Sequence, residues 1–458
     1  MTPHRPPYAI ALLTLAAAGC RPAAPGGDRP LSLVVSGDAA GWIVPCGCTS
    51  NQSGGLPRRA TYLAQLRAGA DVLAADAGGA AAGVSPYDRL KFEAILQGQR
   101  EMGIAAHNLG AAEAALGADY LRSVAARFNV PFVSTNVAAG DGKPLADPVR
   151  VVQLAGRRVA VFGVLSPRLA PAAVRVAPPR EAVLAALNGM TQQRQVVVVL
   201  AYLPEDELLA FAEGLPEADL IVGGPTGQPI APRRIGPTLV ASATRQGKFL
   251  VRLDVPEPDA AARPGGEIVE LSARFADEPG QVANVSRFRK LLAAADLAPR
   301  DTAFVAPLPP GAPKEFAVAG TDACRKCHKE ASRRWDESRH ARAWKSLAEK
   351  DGPAFDPECQ RCHTTGYGLP GGFVSARRSP QRVGVGCESC HGPCGEHVAD
   401  PRAPTSHVAN AANSCRGCHD RENSPKFAYD AYWAKIRHGR TDDDGKTSTA
   451  GNRLEEKR

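Results

Sequence analysis

Between residues 31 and 256, short continuous apolar runs alternate with segments whose apolar positions recur every three or four residues. The apolar runs include LSLVVSG, DVLAAD, VAVFGVLS, VVVVLA and ADLIVGG, and the amphipathic segments include PRRATYLAQLRA and YDRLKFEAILQGQREM. A strand that is apolar at every position is buried on both faces, and an amphipathic helix can cover such a strand with one face. The pattern predicts an α/β layered sandwich over residues 31–256.

The pattern changes after residue 256. Residues 257–318 begin and end in proline-rich stretches, and between these they hold one strand-like run, EIVELSARF, and one amphipathic run, VSRFRKLLAAADL. This composition predicts a connector. For residues 319–440 we predict a small, mostly α and loop-rich domain. Residues 441–458 are strongly polar and predict a disordered tail.

The first twenty residues are typical of a signal peptide, because an apolar stretch too short to span a bilayer follows His4 and Arg5. They end in AAGC, which resembles a bacterial lipobox, so we expect Cys20 to be lipidated and residues 21–30 to form a flexible tether. An ordinary cleaved signal with an incidental cysteine is the alternative. Both interpretations predict export, and the lipobox adds a lipid anchor at the periplasmic face of a bacterial membrane.

The composition is ordinary for globular proteins, but the cysteines are placed unevenly. Of the 458 residues 44% are apolar and 22% are charged, and the formal net charge is +8. No basic run is interleaved with aromatic residues, so we expect no nucleic-acid partner. Of the twelve cysteines, nine lie between Cys324 and Cys418, which marks a region with chemistry of its own.

Four copies of Cys-x-x-Cys-His lie in residues 319–440. They are Cys324-Cys327-His328, Cys359-Cys362-His363, Cys387-Cys390-His391 and Cys415-Cys418-His419. This is the attachment motif of c-type haem, in which two thiols bind the porphyrin and the adjacent histidine is the proximal iron ligand. Paired zinc ribbons are the alternative, but they do not require a histidine after every second cysteine. We therefore predict four covalently bound c-type haems.

Four further histidines in this region are candidate distal ligands of the haem irons: His340, His397, His407 and His438. One additional histidine for each iron favours bis-histidine haems, which are suited to electron transfer. For any one of them the alternative is a partner for a haem propionate or a solvated surface group. Residues 319–440 carry 20 Lys and Arg against 14 Asp and Glu, a surplus that haem propionates would largely offset.

Six segments of residues 319–440 match the pattern of a known family: DACRKCHKE, SRHARAW, ECQRCHTTGYGLPGGF, GVGCESCHGPCGEHV, SCRGCHD and AYWAKIRHG. Through them this region resembles the tetrahaem cytochrome c family that includes the electron carrier of hydroxylamine oxidation. The resemblance implies closely stacked haems that conduct electrons, with one iron that can lack a sixth ligand. Cys394 stands where that family usually has a small residue. A free thiol, a disulfide partner and an incidental small apolar residue are all open for it, and we favour the last.

Residues 31–256 resemble the calcineurin-type metallophosphoesterase domain of periplasmic 5′-nucleotidases and UDP-sugar hydrolases, through GGLPRRATYLAQLR, GADYL, FVSTNV, GRRVAVFGVLS and GKFLVRLDV. That family holds two metal ions with Asp, His and Asn. Here most of the matching positions carry no ligand. The residues found at the family's ligand positions are Asp38-Ala39-Ala40-Gly41, Gly79 after Asp76-Ala77-Gly78, Gly110-Ala111-Ala112-Glu113, Tyr202 and Gly224-Pro225-Thr226-Gly227. A two-metal centre cannot be built from one aspartate, so hydrolase activity is disfavoured.

Cys46 and Cys48 follow Asp38 closely, with Arg58 and Arg59 just downstream. Thiols one residue apart close a strained, easily reduced ring, and nearby guanidinium groups favour the thiolate. A redox-active dithiol or soft-metal clip is therefore one hypothesis, and a structural disulfide of an exported protein is the other.

These patterns predict an exported, lipid-anchored fusion whose function is electron transfer outside the cytoplasmic membrane. An extension of this prediction is that electrons pass between the haems and the Cys46/Cys48 dithiol. The expected partners are a redox donor or acceptor protein or a quinol-linked membrane complex. A haem oxidoreductase acting on a small nitrogen or sulfur compound at an open iron is the alternative. In a third interpretation the first domain only docks a partner protein.

Overall fold

The computed structural model describes residues 29–45, 52–190, 196–244, 246–255, 265–305, 308, 316–350, 352–403 and 411–438. Cys20, Cys46, Cys48 and His407 lie outside these residues, as do the predicted signal peptide and tail. The described residues up to 305 are called the α/β part below, and residues 316–438 are called the C-terminal part. In the described portion of the chain, no helix combines the length and the apolar character that crossing a bilayer requires.

The first sheet of the α/β part has six strands in the order β14-β13-β1-β2-β3-β4. Its strands are β1 (Leu31–Ser36), β2 (Asp71–Asp76), β3 (Ala106–Asn108), β4 (Phe132–Val133), β13 (Phe249–Asp254) and β14 (Gly266–Glu270). Strands β1 to β4 run parallel, and β13 pairs antiparallel with both β1 and β14. The parallel strands therefore end at one common edge, where Asp76 closes β2.

The second sheet also has six strands, in the order β11-β12-β10-β9-β7-β6. Its strands are β6 (Arg150–Leu154), β7 (Arg157–Leu165), β9 (Val196–Tyr202), β10 (Leu220–Gly224), β11 (Ile230–Ile235) and β12 (Thr238–Ser242). Strands β7, β9, β10 and β12 are parallel neighbours, and the two edge strands pair antiparallel. A separate two-stranded ribbon joins β5 (Val137–Ala139) to β8 (Val174–Val176).

The two sheets pack face to face, and helices cover both outer faces. Leu33 and Val35 of β1 meet Val161, Val198 and Val222 of the second sheet in an apolar core between the sheets. The helices of this part are α1 (Leu56–Gly69), α2 (Pro86–Glu101), α3 (Ala111–Leu116), α4 (Ala118–Phe128), α5 (Pro179–Asn188), α6 (Glu205–Glu213) and α7 (Pro279–Ala295). Helices α1, α2, α4 and α7 bury apolar faces against the first sheet, and α5 and α6 against the second. The predicted α/β layered sandwich is confirmed.

The strand and helix predicted within residues 257–318 form, and both pack on the sandwich. Strand β14 extends the first sheet through β13, and helix α7 lies against α1 and α2. The Asn284 side chain of α7 donates a hydrogen bond to the carbonyl of Ala94 in α2, at 2.9 Å. The described portion of this segment therefore completes the outer layer of the α/β part, and the proposed boundary at residue 256 lies outside the described residues.

The C-terminal part consists of short helices joined by loops, as predicted. Its helices are α8 (Thr321–Arg325), α9 (Lys329–Glu337), α10 (Lys345–Ala348), α11 (Pro357–His363), α12 (Glu388–His391), α13 (Gly395–Ala399), α14 (Ala411–Arg416) and α15 (Tyr429–Ile436). Few large apolar side chains are buried here, Phe373 and Leu347 among them. So small a side-chain core is what a domain built around a large prosthetic group would need.

Several polar contacts join the two parts. At the end of α7, the Ser375 hydroxyl donates to Asp296 Oδ2 at 3.0 Å. From α2, the Tyr87 hydroxyl donates to Asp356 Oδ1 at 2.7 Å, and Lys91 Nζ lies 2.9 Å from Glu358 Oε1. From the turn before β13, Lys248 Nζ lies 2.6 Å from Glu422 Oε1. The C-terminal part is thereby held against the edge of the α/β part where the parallel strands end.

Candidate haem sites and the relic metal centre

Each Cys-x-x-Cys-His motif forms about one helical turn. The histidine N–H bonds to the carbonyl of the first cysteine in three motifs, at 2.9 Å for His328, 3.0 Å for His391 and 2.8 Å for His419, and His363 ends helix α11. Residues at i, i+3 and i+4 of a helix lie on one face. Both thiols and the imidazole of a motif therefore face the same side, as two thioether links and one iron bond to a single porphyrin require.

The four motifs are neighbours in space in an order that differs from their order in sequence. The side chains of Cys324 and Cys387 lie close enough to interact, so the first motif adjoins the third. The same holds for Cys362 and Cys418, so the second motif adjoins the fourth. Helices α12 and α14 pack together and connect the third motif to the fourth. The motifs thus form a row in the order first, third, fourth, second.

Three pairs of histidines face each other at nearly the same separation. The ring centroids are 6.2 Å apart for His328 and His397, 6.2 Å for His340 and His419, and 5.9 Å for His391 and His438. A metal–imidazole bond of about 2 Å on each face of an iron places the two ring centroids about 6 Å apart. Each pair joins a motif histidine to one of the predicted distal candidates. The described residues therefore fit three bis-histidine haems.

Hydrogen bonds fix the orientation of four histidine rings, of which three belong to the pairs and the fourth is His363 of the second motif. Nδ1 donates to a backbone carbonyl in His363 (Ala343, 2.8 Å), His397 (Ala403, 2.9 Å) and His438 (Ile436, 3.0 Å). In His419, Nδ1 lies 2.9 Å from the hydroxyl of Ser424. A carbonyl can only accept, so in the first three rings the proton is on Nδ1 and Nε2 keeps its lone pair for a metal.

Burial also favours the metal-binding form of one pair. Burial lowers the pKa of His340, with a further contribution from His419, and burial lowers the pKa of His419 as well. A lowered histidine pKa favours the neutral imidazole, which is the form that coordinates a metal. Within the described ranges no group of three or more His, Cys, Asp or Glu side chains could hold a metal ion by itself. A ligand pair suits a porphyrin iron, which already has four nitrogen ligands, and does not suit a zinc ribbon.

The second motif differs from the other three. Of the histidines that the structure describes, none has its ring facing that of His363, and His407 lies outside the described residues. Asp356 caps α11, since its Oδ1 accepts the Glu358 N–H at 3.0 Å. Burial and the Glu358 carboxylate raise the pKa of Asp356 above its usual range. This motif is the one that α2 of the α/β part contacts.

Glu388 ties the first and third motifs together. Its carboxylate is buried and accepts the backbone N–H groups of Ala319 (2.8 Å), Gly320 (2.6 Å) and Cys394 (2.7 Å). Cys394 is itself buried, and its Sγ lies 3.1 Å from the Gly392 carbonyl. Nothing in the sequence marks Glu388, because a glutamate between two motif cysteines carries no signal that distinguishes it from a solvated residue.

The α/β part places the residues of the relic metal centre, Asp38, Asp76, Glu113 and Tyr202, at the ends of its parallel strands or just beyond them. Each carboxylate is bound by protein groups. Asp38 accepts from the Thr244 hydroxyl at 2.8 Å. Asp76 accepts from Ser36 at 2.6 Å and from Gln99 at 3.0 Å. Glu113 accepts three backbone N–H groups, from residues 79 to 81.

A buried arginine supplies positive charge at this centre. Arg59 is 2% exposed, its Nη1 lies 3.6 Å from Asp76 Oδ2, and it donates to the Ser36 hydroxyl at 3.0 Å. Arg58 instead donates to the carbonyls of Gln52 and Leu271. Because Cys46 and Cys48 lie outside the described residues, the predicted effect of these two guanidinium groups on their thiols stays a prediction.

Tyr202 fills the space of a missing ligand. A Cβ atom added at Gly79 would lie 2.5 Å from Tyr202 Cε2, and Gly79 has a φ of +75°, which an L side chain rarely adopts. Burial, with the Glu113 and Asp38 carboxylates, raises the pKa of the Tyr202 hydroxyl. The space at the ends of these strands is therefore packed with side chains.

Residues 323–392 match the family model described as Cytochrome c554 and c-prime, a range that includes the first three motifs. Cytochrome c-554 of Nitrosomonas europaea is 36% identical over 88 residues, which cover 16% of this chain and 37% of that protein. The chain thus spans little more than a third of the length of this relative. The C-terminal part is a c-type cytochrome domain with covalently bound haem.

Among solved structures, the calcineurin-like phosphoesterase YfkN from Bacillus subtilis is similar with a TM-score of 0.51 and 16% identity, over 57% of this chain and 97% of that chain. The 5′-nucleotidase precursor from Thermus thermophilus gives a TM-score of 0.48 and 23% identity, over 58% of this chain and 60% of that chain. The similarity to YfkN establishes the fold of the α/β part as that of the calcineurin-like phosphoesterases.

Proposed function

We propose that this protein is an exported, lipid-anchored electron carrier that binds four c-type haems. The observation that carries the proposal is the set of three facing histidine pairs with centroids 5.9 to 6.2 Å apart. A fourth haem at Cys359, Cys362 and His363 rests on the motif and on the hydrogen bond that orients His363. When bound, the haems supply reversible one-electron storage at iron.

The protein residues would hold the haems close to one another and in a fixed order. The contacts between motifs place the four attachment sites side by side, in the row described above. Histidine pairs keep water and substrates off an iron, and fixed rings reduce the rearrangement that accompanies a change of oxidation state. These features suit a carrier that accepts electrons at one end of the row and releases them at the other.

The location and partners follow from the N-terminal sequence. Cys20 is the lipidation site, the protein lies at the periplasmic face of a bacterial membrane, and its partner is a redox protein or a quinol-linked membrane complex. We include the Cys46/Cys48 dithiol as a further redox group. Its support is that Gln52, just beyond it, donates to the Glu422 carbonyl at 3.2 Å, and Glu422 lies three residues after His419.

Haem quantitation tests the proposal. Full-length protein matured in a host with the c-type assembly machinery should carry four haems by mass, and reduced-minus-oxidised spectra should show mainly low-spin haem. A polypeptide without covalent haem, or one with zinc in its place, would refute it.

The second candidate is a haem oxidoreductase that acts on a small nitrogen or sulfur compound, favoured by the lack of a described histidine ring facing His363. Carbon monoxide should bind the reduced protein at one site under this alternative and at none under the carrier proposal. The variant H407A separates them further, because it converts one haem to high spin only if His407 is the missing ligand.

A further inference from the structure

Two lysines of the α/β part, both of low solvent exposure, contact segments at or next to the second and fourth haem motifs. The Lys91 side chain is 5% exposed and that of Lys248 is 13% exposed. Lys91 bonds to Glu358, the residue before Cys359 of the second motif. Lys248 bonds to Glu422, three residues after His419 of the fourth motif.

Each lysine also contacts an aromatic ring. Lys91 Nζ also lies 5.1 Å from the centroid of the Tyr87 ring, and Tyr87 is itself bonded to Asp356. Lys248 Nζ lies 5.5 Å from the centroid of the Trp42 ring. Each ammonium group is therefore held between an aromatic face and a carboxylate, an arrangement that fixes a cation at low solvent exposure.

Both contacted segments also orient an iron ligand. Asp356 caps helix α11, which ends at His363. Glu422 lies in the turn from Asp420 to Ser424, and Ser424 is the hydrogen-bond partner of His419. A change in charge at either glutamate therefore acts close to an iron.

The third motif offers a contrast. Its carboxylate, Glu388, is bound by three backbone N–H groups, and no cation among the described residues forms an ion pair with it. Two of the motifs thus have a carboxylate neutralised by a lysine of the α/β part, and a third has a carboxylate without such a cation.

We propose that the α/β part tunes the reduction potentials of the haems at the second and fourth motifs, with Lys91 and Lys248 as the tuning residues. This inference rests on the proposed haem attachment. A negative charge near an iron stabilises the ferric state, and an opposite charge beside it reduces that effect. By neutralising Glu358 and Glu422, the two lysines favour the ferrous state at the end of the row that faces the α/β part. The relic domain therefore has a redox function without metal or catalysis.

The experiment is a spectroelectrochemical titration of full-length, haem-loaded variants. K91Q should move one of the four one-electron steps to lower potential, with at least about a threefold fall in the ferrous-to-ferric ratio at fixed ambient potential, or about 30 mV. K248Q should do the same to a different step. K91Q/E358Q should return the first step towards its wild-type position, because the unpaired carboxylate is gone.

The exposed lysine Lys345, whose side chain is 69% exposed in a surface pair, provides the control, and K345Q should leave all four steps unchanged. The inference is overturned if K91Q and K248Q keep four haems and leave every step at its wild-type potential. It is also overturned if K91Q/E358Q shifts a step as far as K91Q does. A wild-type protein with fewer than four haems would instead count against the proposed function.

Discussion

The imidazole rings of His340 and His419 lie with their centroids 6.2 Å apart, although His340 belongs to none of the four Cys-x-x-Cys-His motifs. His419 follows the fourth motif's second cysteine, and His340 lies in the loop after α9, between the first and second motifs. Their separation is that of two axial ligands of one iron. The two rings therefore come from segments next to different motifs. The same is true of the pairs that include His397 and His438.

Replacing His340 with alanine should remove one axial ligand without removing a haem. Because the thioether links are made by cysteines, H340A should keep the wild-type haem content while one haem changes from low to high spin in its electronic and electron paramagnetic resonance spectra. R342A, at an exposed neighbouring residue, is the control. A fully low-spin H340A protein would show that this residue is not an iron ligand.

Replacing Glu388 with alanine should destabilise the C-terminal part. Three backbone N–H groups would lose their acceptor, and each buried donor left unsatisfied costs about 1–3 kcal/mol. We expect a loss of at least about 2 kcal/mol in the free energy of unfolding, measured by urea titration of the Soret absorbance. E396A alters a nearby exposed glutamate and should have little effect, so equal midpoints for the two variants would contradict the role of Glu388.

Replacing Arg59 with methionine should destabilise the α/β part, because it leaves Asp76 buried without its cation. Breaking a buried pair on one side typically costs about 3–5 kcal/mol. Far-UV circular dichroism in urea should show an earlier transition of the α/β part, while the haem spectrum in buffer stays as in the wild type. R122A, in a surface pair, should change stability by no more than about 0.5 kcal/mol. An R59M protein as stable as R122A would mean that the hydrogen bonds to Asp76 suffice.

The relic centre should have no metal-dependent phosphoesterase activity. Purified protein with added Mn²⁺ or Zn²⁺ should not hydrolyse p-nitrophenyl phosphate or a 5′-nucleotide above the rate of the metal alone. G79D should not restore activity and should lower stability, because its Cβ meets Tyr202 at a backbone φ of +75°. Metal-stimulated turnover by the wild-type protein would show that another ligand set exists.

Thiol reactivity should separate Cys46 and Cys48 from Cys394. Burial, with Glu388 and Cys387, raises the pKa of the Cys394 thiol to about 11, so the reactive thiolate is scarce at pH 8 and increases only as the pH approaches that value. After mild reduction, iodoacetamide at pH 8 should modify Cys46 and Cys48 but spare Cys394, as measured by peptide mass spectrometry. Titration in glutathione buffers then tests the dithiol proposal. A disulfide that stays oxidised far below the glutathione range would assign Cys46 and Cys48 a structural role.

The sequence by itself determined the chemistry and the fold class. Covalent haem attachment depends on a local pattern, and one helical turn is enough to bring Cys324, Cys327 and His328 to the same side. The continuous apolar strands required cover on both faces, which fixed the layered arrangement. The lack of side-chain ligands at positions such as Ala39 and Gly79 was also visible, because alanine and glycine side chains have no donor atoms.

Only the tertiary structure decided which groups meet across the chain. His328 pairs with His397, and Lys91 bonds to Glu358, although the members of each pair are far apart in sequence. The order of the motifs in the row also depends on such contacts. Neither periodicity nor spacing encodes them. The same applies to Arg59, whose position just downstream of two cysteines does not reveal its partner. It is buried against Asp76, because the fold brings α1 under the end of β2, where a buried carboxylate needs a positive charge.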